Sequence, residues 1–139
     1  MSGRGQDGVP ALDQLTMAAS SVNRAAAARL IEAGLDAIAR ENFEGAVAVV
    51  DPAGNLRAFA STDGARFLTG DLAIGKAWTA ASLGRPTSLW NRLAANPAFA
   101  PMVQLPRVVA IGGGYPMFEK DRVVGAIGGS GGTTEQEGA

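Results

Sequence analysis

The sequence predicts an α/β protein of the α+β kind, a two-layer sandwich of about five antiparallel strands with helices packed on them. Two observations favour this class. The apolar runs of β character come in groups joined by turn residues, as in hairpins, and do not alternate one by one with helices. Two longer stretches carry the residue spacing of helices, one before the first hairpin and one after it. The predicted element order is therefore α-β-β-α-α-β-β-β.

The N-terminal part of the chain predicts a tail followed by a long helix. Residues 1–11 are rich in Gly, Ser, Gln and Asp, and we expect them to be disordered. Residues 12–41 are rich in Ala, Leu, Glu and Arg, which favour helices. Three residues at helical spacing form one apolar stripe, Ile31, Leu35 and Ile38. We expect this stripe to pack on the sheet.

The first predicted hairpin follows this helix. Gly45–Val50 is a short apolar run, and Leu56–Ser61 alternates apolar and polar residues as a half-buried strand does. Between them, Asp51–Asn55 has the sequence DPAGN, which is typical of a turn. Residues 62–64 close the hairpin.

A second helical region separates this hairpin from the remaining strands. Leu68–Leu83 is predicted to be a helix that stops at Gly84, because glycine is common directly after helix C-termini. A short helix over residues 88–96 follows, with Thr87 as its cap, and the Asn96–Pro97 pair ends it.

The C-terminal third consists of three short apolar runs separated by glycine. The runs are Val108–Ile111, Tyr115–Phe118 and Val123–Ile127, and glycine-rich segments cover residues 112–114 and 128–132. A strand interior gains nothing from glycine, so these residues indicate tight turns or a backbone that approaches something closely. Two interpretations stay open: turns that use glycine, or backbone amides that line a small-molecule site.

The composition excludes several classes of function. The chain has 139 residues, enough for one domain with a core, which we place at residues 12–139. Its net charge of −1 gives no basic surface for nucleic acid or an anionic membrane, and no apolar run of about 18 residues predicts a transmembrane helix. Cysteine is absent and the N-terminus lacks an apolar stretch of the signal-peptide type, so a cytoplasmic protein is expected. Histidine is also absent, which excludes Ser-His-Asp triads, typical zinc sites and histidine-ligated haem, and we expect no metal site.

Three segments in a fixed order carry a resemblance to a known family. Their sequences are VVDPAGNL from Val49, AIGKAWTAA from Ala73 with GRPT after it, and GGGYP from Gly112 with VGAIGGSGG after it. Together they resemble the GlcG/HbpS-like family, which includes the C-terminal domain of PduO-type proteins. The match runs from about Leu15 to Gln136, nearly the whole chain.

The resemblance implies a two-layer sandwich of profilin-like shape that assembles into dimers or larger rings. Some members of the family bind or degrade haem, and one group lies beside corrinoid enzymes. This chain departs from the family in two ways. It has no histidine, and the C-terminal helix that relatives continue past residues 133–136 is missing or cut short. Haem is therefore a candidate cofactor only without a histidine ligand.

Three side chains near the second helical region are candidates for ligand binding. Lys76 is either a snorkelling surface lysine or a clamp for a carboxylate, and its amine is also a candidate acid or base. Arg85 either caps the helix or forms a salt bridge between subunits, or else it binds a carboxylate in bidentate fashion. Thr79 either hydrogen-bonds back to its own helix or contacts the ligand.

The residues around the first glycine segment form a second group of candidates. Tyr115, the only tyrosine, is either a sheet-edge residue or a phenol that acts as an acid or as an oxygen ligand to haem iron. The successive amides of Gly112, Gly113, Gly114 and Tyr115 could form an anion-binding nest.

These residues leave three functions open. The first is a protein that binds a carboxylated or planar small molecule, haem among the candidates. The second is a cofactor-independent isomerase, cyclase or dehydratase, in which Tyr115, Lys76, Asp63 or Glu119 supplies the acid and base. Without such a role, Asp63 caps a turn and Glu119 faces solvent. The third is a structural homo-oligomer, in which the glycines only build a compact sheet.

Overall fold

The computed structural model describes residues 8–132, so residues 1–7 of the tail predicted over residues 1–11, and the stretch after residue 132, lie outside the described residues. The elements of the described part, in chain order, are α1 (Leu12–Leu15), α2 (Arg24–Arg40), β1 (Gly45–Val50), β2 (Leu56–Ser61), α3 (Phe67–Leu83), α4 (Thr87–Leu93), a 3-10 helix (Ala100–Gln104), β3 (Gly114–Glu119) and β4 (Arg122–Gly131). No helix within this part is long and apolar enough to cross a membrane.

The sheet is antiparallel and open, with the strand order β2-β1-β4-β3. Both predicted hairpins are confirmed, β1 with β2 and β3 with β4. The second glycine segment is no turn, because Gly128–Gly131 belong to β4 and pair with β1. Glycines inside a strand have no side chain to pack, so a reason other than turn geometry must explain why they occur here.

The sheet has four strands where about five were predicted, since the run Val108–Ile111 forms no strand. Its backbone is bound to α3 instead: the Val109 N–H donates to Thr79 Oγ1 over 3.0 Å. The Thr79 hydroxyl also lies 3.3 Å from the Arg107 carbonyl oxygen. A helix side chain thus takes the hydrogen bonds that a neighbouring strand would have made.

The helix predicted over residues 12–41 is split in two. After the four residues of α1 the chain leaves helical geometry until Asn23, whose Oδ1 accepts the Ala26 N–H over 2.9 Å and caps α2. In between, the Val22 N–H donates to the Val124 carbonyl over 2.7 Å, which holds this segment against the start of β4. Alanine-rich composition predicted one helix, but a side-chain cap and a contact with a strand decide where it begins.

The helices cover both faces of the sheet, which gives three layers in place of the expected two. β1 is buried along its whole length and alternates between the faces. Ala46, Ala48 and Val50 pack with the alanines of α3, whereas Val47 and Val49 pack with α2. β1 is therefore the centre of the core.

The two long helices are offset along the sheet. α3 lies over β4, β1 and β3, whereas α2 packs on β1 and β2. On the α2 side, the half of the sheet that β3 and β4 form is consequently only partly covered. The candidate site lies there.

Candidate functional site

A cleft of about 270 Å³ opens between the C-terminal half of α2 and the uncovered half of the sheet. Its walls are largely apolar and include Ile38, Phe43 and Ile127. Tyr115 lines it from β3, and Arg40 lies among its lining residues at the end of α2. An apolar cleft with a few polar groups is the usual form of a small-molecule site, and its size is near the lower end of the range of about 300–1,000 Å³.

Tyr115 reaches the cleft because of its position in the β3–β4 hairpin. It pairs with Ile127 of β4, and the two residues share the face of the sheet on which α2 lies and whose β3–β4 half is only partly covered. The residue is 36% exposed. Its role as a site residue stays a prediction.

Lys76 lies behind the cleft and not on the surface. Its side chain is completely buried, although it starts from α3 on the opposite face of the sheet. The Nζ donates to the Gly129 carbonyl oxygen over 3.1 Å. It would also lie 3.1 Å from a Cβ built on Gly113, and Gly113 and Gly129 both line the cleft. The ammonium group thus lies next to the two glycines at the inner end of the cleft.

The glycine segment before Tyr115 is used mainly by the fold. The Gly114 N–H donates to Thr87 Oγ1 over 2.8 Å, and the Gly113 carbonyl accepts the Gly129 N–H over 2.9 Å. Gly112, Gly113 and Gly114 are all buried, and only Gly113 is among the cleft residues. The predicted anion nest therefore has at least one of its amides already occupied.

Thr79 and Arg85 lie away from the cleft lining. The Thr79 hydroxyl back-bonds to the Gly75 carbonyl over 2.7 Å and holds the segment before the glycines, so its structural interpretation is the one observed. Arg85 is exposed and directly follows Gly84, which ends α3 in left-handed geometry with φ 70° as predicted. Neither side chain contributes to the cleft.

The two carboxylates predicted as bases also lie elsewhere. Asp63 lines a separate depression after β2, beside Glu44 and Thr62. Glu119 lies at the end of β3 in another depression, where Arg29 and Met117 are its neighbours. The structure thus brings Tyr115, Gly113 and the ammonium of Lys76 close to one another and leaves Asp63 and Glu119 apart from them, while Glu41, which was not predicted, lines the cleft. Within residues 8–132, no group of three or more Asp and Glu residues is arranged to hold a metal ion.

Sequence reasoning missed the α2 side of the cleft. Ile38 was predicted as part of a core stripe, and neither Phe43 nor Arg40 was predicted as a site residue. For the sheet side of the cleft, the available sequence signal was a glycine inside a strand, and this glycine is Gly129. No pattern in the sequence tells which strands a helix covers, so the uncovered half of the sheet was not predictable.

Comparison with known proteins agrees with the resemblance seen in the sequence. Residues 22–139 match the family model described as haem degrading protein HbpS-like. An uncharacterized 15.0 kDa protein of Citrobacter freundii, from the dhaT-dhaS intergenic region, is 34% identical over 116 residues, which are 81% of this chain and 82% of the relative.

Solved structures share the fold. The crystal structure of a double mutant of HbpS from Streptomyces reticuli is 26% identical, with a TM-score of 0.82, and covers 99% of this chain and 88% of that one. The PduOC:heme complex is 23% identical, with a TM-score of 0.76 and coverage of 85% and 88%, and supports the fold alone. Because the family model spans most of the sequence, the chain belongs to the HbpS-like family.

Proposed function

We propose that this protein binds a flat, mostly apolar small molecule that carries a carboxylate, and that the ligand occupies the cleft between α2 and the β3–β4 hairpin. One observation carries the proposal: α2 covers β1 and β2 and leaves an apolar cleft over the other half of the sheet. The family description, haem degrading, makes haem the first ligand to test.

The residues of the cleft fit one edge of a haem. A haem site needs apolar walls, a donor atom for iron and a cation for the propionates. Ile38, Phe43 and Ile127 supply apolar surface, and Tyr115 supplies a phenol. The chain has neither histidine nor cysteine, so Tyr115 is the ligand type of choice at this cleft. Bound haem would add the chemistry of its iron. The cleft is smaller than a porphyrin needs for full enclosure, so part of the ligand would face solvent.

Arg40 is the residue that we assign to the carboxylate. It is exposed in the last turn of α2 and belongs to the lining of the cleft. A guanidinium group matches a carboxylate with two parallel hydrogen bonds, and such charge-assisted bonds are stronger than neutral ones. Arg85, the cation predicted for this role, is exposed elsewhere and provides a matched control.

A titration with hemin (ferric haem) tests the proposal. We expect micromolar hemin to shift the Soret band, and Tyr115→Phe to abolish the spectrum of a tyrosinate-bound ferric haem. Arg40→Ala should weaken binding by about tenfold or more, as expected for a lost charged hydrogen bond, whereas Arg85→Ala should bind as the wild type does. A wild-type spectrum that does not change would overturn haem as the ligand. Equal losses in both arginine variants would overturn the assignment of Arg40.

The enzyme hypothesis has less support. Of the four side chains predicted to supply the acid and base, Tyr115 alone is among the lining residues of the cleft, where Glu41 is a further carboxylate, and Lys76 is buried behind the glycines. Asp63 and Glu119 lie in other depressions. We therefore propose binding as the function of this cleft.

We also propose that the protein forms homo-oligomers through the apolar surface at the N-terminus of α3. Phe67 is 91% exposed and Leu68 is 61% exposed, beside the exposed Phe59 of β2. Such a concentration of exposed large apolar side chains is typical of interaction sites. Sedimentation analysis should show an assembly for the wild type and a smaller species for Phe67→Ser. A wild-type monomer would contradict this proposal.

A further inference from the structure

Three glycines line the cleft, and packing within the chain explains two of them. A Cβ on Gly34 of α2 would lie 2.8 Å from each of the two Cγ atoms of Val47, so the helix can approach the sheet only with glycine there. A Cβ on Gly113 would lie 2.7 Å from the Gly129 carbonyl oxygen, and its φ of +124° is rarely adopted by other residues. Both glycines are required by the fold.

Gly129 is different. A Cβ built on it would have no atom of residues 8–132 within 4 Å, apart from those of Gly129 itself and its two neighbours in the chain. It is absent from the residues of positive φ, so its backbone does not demand glycine. It lies inside β4 opposite Val47 of β1, a position where glycine weakens a strand. Neither packing nor backbone geometry in the described part of the chain accounts for this residue.

The open space in front of Gly129 is part of the cleft. Gly129 is one of the lining residues and lies on the same strand as Ile127, two residues away and on the same side of the sheet. Its neighbour Gly128 points to the other face, where the backbone of α3 fills the space. The two adjacent glycines therefore differ in what occupies the volume of the missing side chain: the protein itself at Gly128, and open space at Gly129.

We propose that Gly129 is the specificity-determining residue of the cleft. Without a side chain, the backbone of β4 offers a flat floor on which the face of an aromatic or macrocyclic ring can lie. A side chain at this position would stand in the ring's place. The inference rests on the proposed function, and it adds that the ligand is recognised by its thin, planar shape.

The experiment compares Gly129→Ala and Gly129→Val with the wild type and with Ser61→Val. Ser61 is an exposed residue of the edge strand β2 and lines none of the depressions described above, so its change adds the valine methyl groups outside the cleft. We expect Gly129→Val to weaken hemin binding by about tenfold or more, Gly129→Ala to weaken it less, and Ser61→Val to leave it unchanged. The melting temperature of both Gly129 variants should equal or exceed that of the wild type, because alanine and valine suit a strand better than glycine.

The other possible results of this experiment each overturn or support the inference. Undiminished hemin binding by Gly129→Val would overturn the inference and leave the proposed function standing. A lower melting temperature for Gly129→Ala would also overturn it, since the chain's own packing would then require the glycine. If hemin does not bind the wild type, the same series is measured with 8-anilinonaphthalene-1-sulfonate, a flat apolar anion that fluoresces when it leaves water. Loss of its binding in Gly129→Val alone supports the inference without haem, and no binding of either probe to the wild type overturns both proposals.

Discussion

The two faces of the sheet are closed to very different degrees. On one face, α3 lies so close to β3 and β4 that its backbone occupies the space where side chains of Gly114 and Gly128 would be. On the other face, α2 stands over β1 and β2 and leaves a cleft beside Tyr115 and Gly129. Two neighbouring glycines of β4 therefore serve different purposes. On the closed face Gly128 permits contact with a helix, and on the open face Gly129 preserves room.

The difference begins in the composition of the two helices. α3 presents small side chains to the sheet, and Ala73, Ala77 and Ala80 are completely inaccessible. Small residues let a helix approach its neighbour closely, and dense packing of this kind leaves no space for an added methyl group. α2 instead buries the large side chains of Ile31 and Ile38, and it packs on β1 and β2 and not on the β3–β4 half of the sheet. We therefore assign stability mainly to the closed face and binding to the open one.

Gly128→Ala should have the largest effect, because it adds a methyl group to the closed face. The new Cβ would contact the Ala73 carbonyl oxygen and lie 2.6 Å from the Ala77 backbone nitrogen. Backbone atoms of a packed helix cannot turn aside, so we expect the free energy of unfolding to fall by about 1–3 kcal/mol or more. Urea unfolding at equilibrium measures it.

Gly129→Ala is the matched control for this change. It adds the same methyl group one residue further along the same strand, on the open face, where no described atom lies within 4 Å. Its free energy of unfolding should stay within about 1 kcal/mol of the wild type, and any change should be an increase. Equal losses in the two variants would contradict the difference between the faces.

Thr87→Val is expected to have an intermediate effect, again on the closed face. The Thr87 hydroxyl accepts the Gly114 N–H over 2.8 Å and is completely buried. Valine keeps the shape but leaves this N–H without an acceptor, which costs about 1–3 kcal/mol of folding free energy. Thr87→Ser keeps the acceptor and loses only a methyl group, so it should unfold at a higher urea concentration than Thr87→Val. If valine were the better tolerated of the two, the hydrogen bond would not be what joins α4 to β3.

The local part of this architecture was predictable from the sequence. The DPAGN turn and the strands around it are fixed by neighbouring residues, and so is the end of α3 at Gly84. Tyr115 was also predicted from its type, since a lone tyrosine after three glycines is distinctive, and the structure places it in the lining of the cleft. In each case the signal and the structure lie within a few residues of each other.

The remaining features depend on contacts between distant segments. Val108–Ile111 has the composition of a strand, but its Val109 N–H donates to Thr79 of α3 and not to a strand. Lys76 was expected at the surface or at a ligand, and it is buried because its stem passes beside Gly113, which has no side chain to block it. Thr87, predicted to cap α4, instead binds the amide of Gly114. None of these partners is a sequence neighbour, so no local pattern predicts these contacts.

Asp51→Asn should have the smallest effect, since Asp51 lies in the β1–β2 turn and belongs to neither face. Burial raises the pKa of its carboxyl group, but the opposing interactions outweigh burial and hold the pKa below the ordinary value of 3.8. These are the hydrogen bonds from the Asn55 N–H and side-chain amide and from the Ala53 N–H, together with the charge of Arg57. A carboxyl group with a lowered pKa in the folded state stabilises that state above its unfolded pKa, and this stabilisation is lost as the pH falls through the folded value. At neutral pH the variant should therefore differ from the wild type by no more than about 0.5 kcal/mol, as surface changes usually do.

The pH dependence isolates this contribution. As the pH falls below about 4, the wild type should lose stability more steeply than Asp51→Asn, because the asparagine has no proton to gain. Asp63→Asn removes the same charge from the turn after β2, where no hydrogen bond to the carboxylate is formed within residues 8–132, and it controls for the change in net charge. Urea unfolding at a series of acidic pH values provides the comparison. If Asp51→Asn and Asp63→Asn gave the same slope, the turn would not be held by the ionised carboxylate, and the β1–β2 hairpin would owe its register to the packing of β1 between α2 and α3.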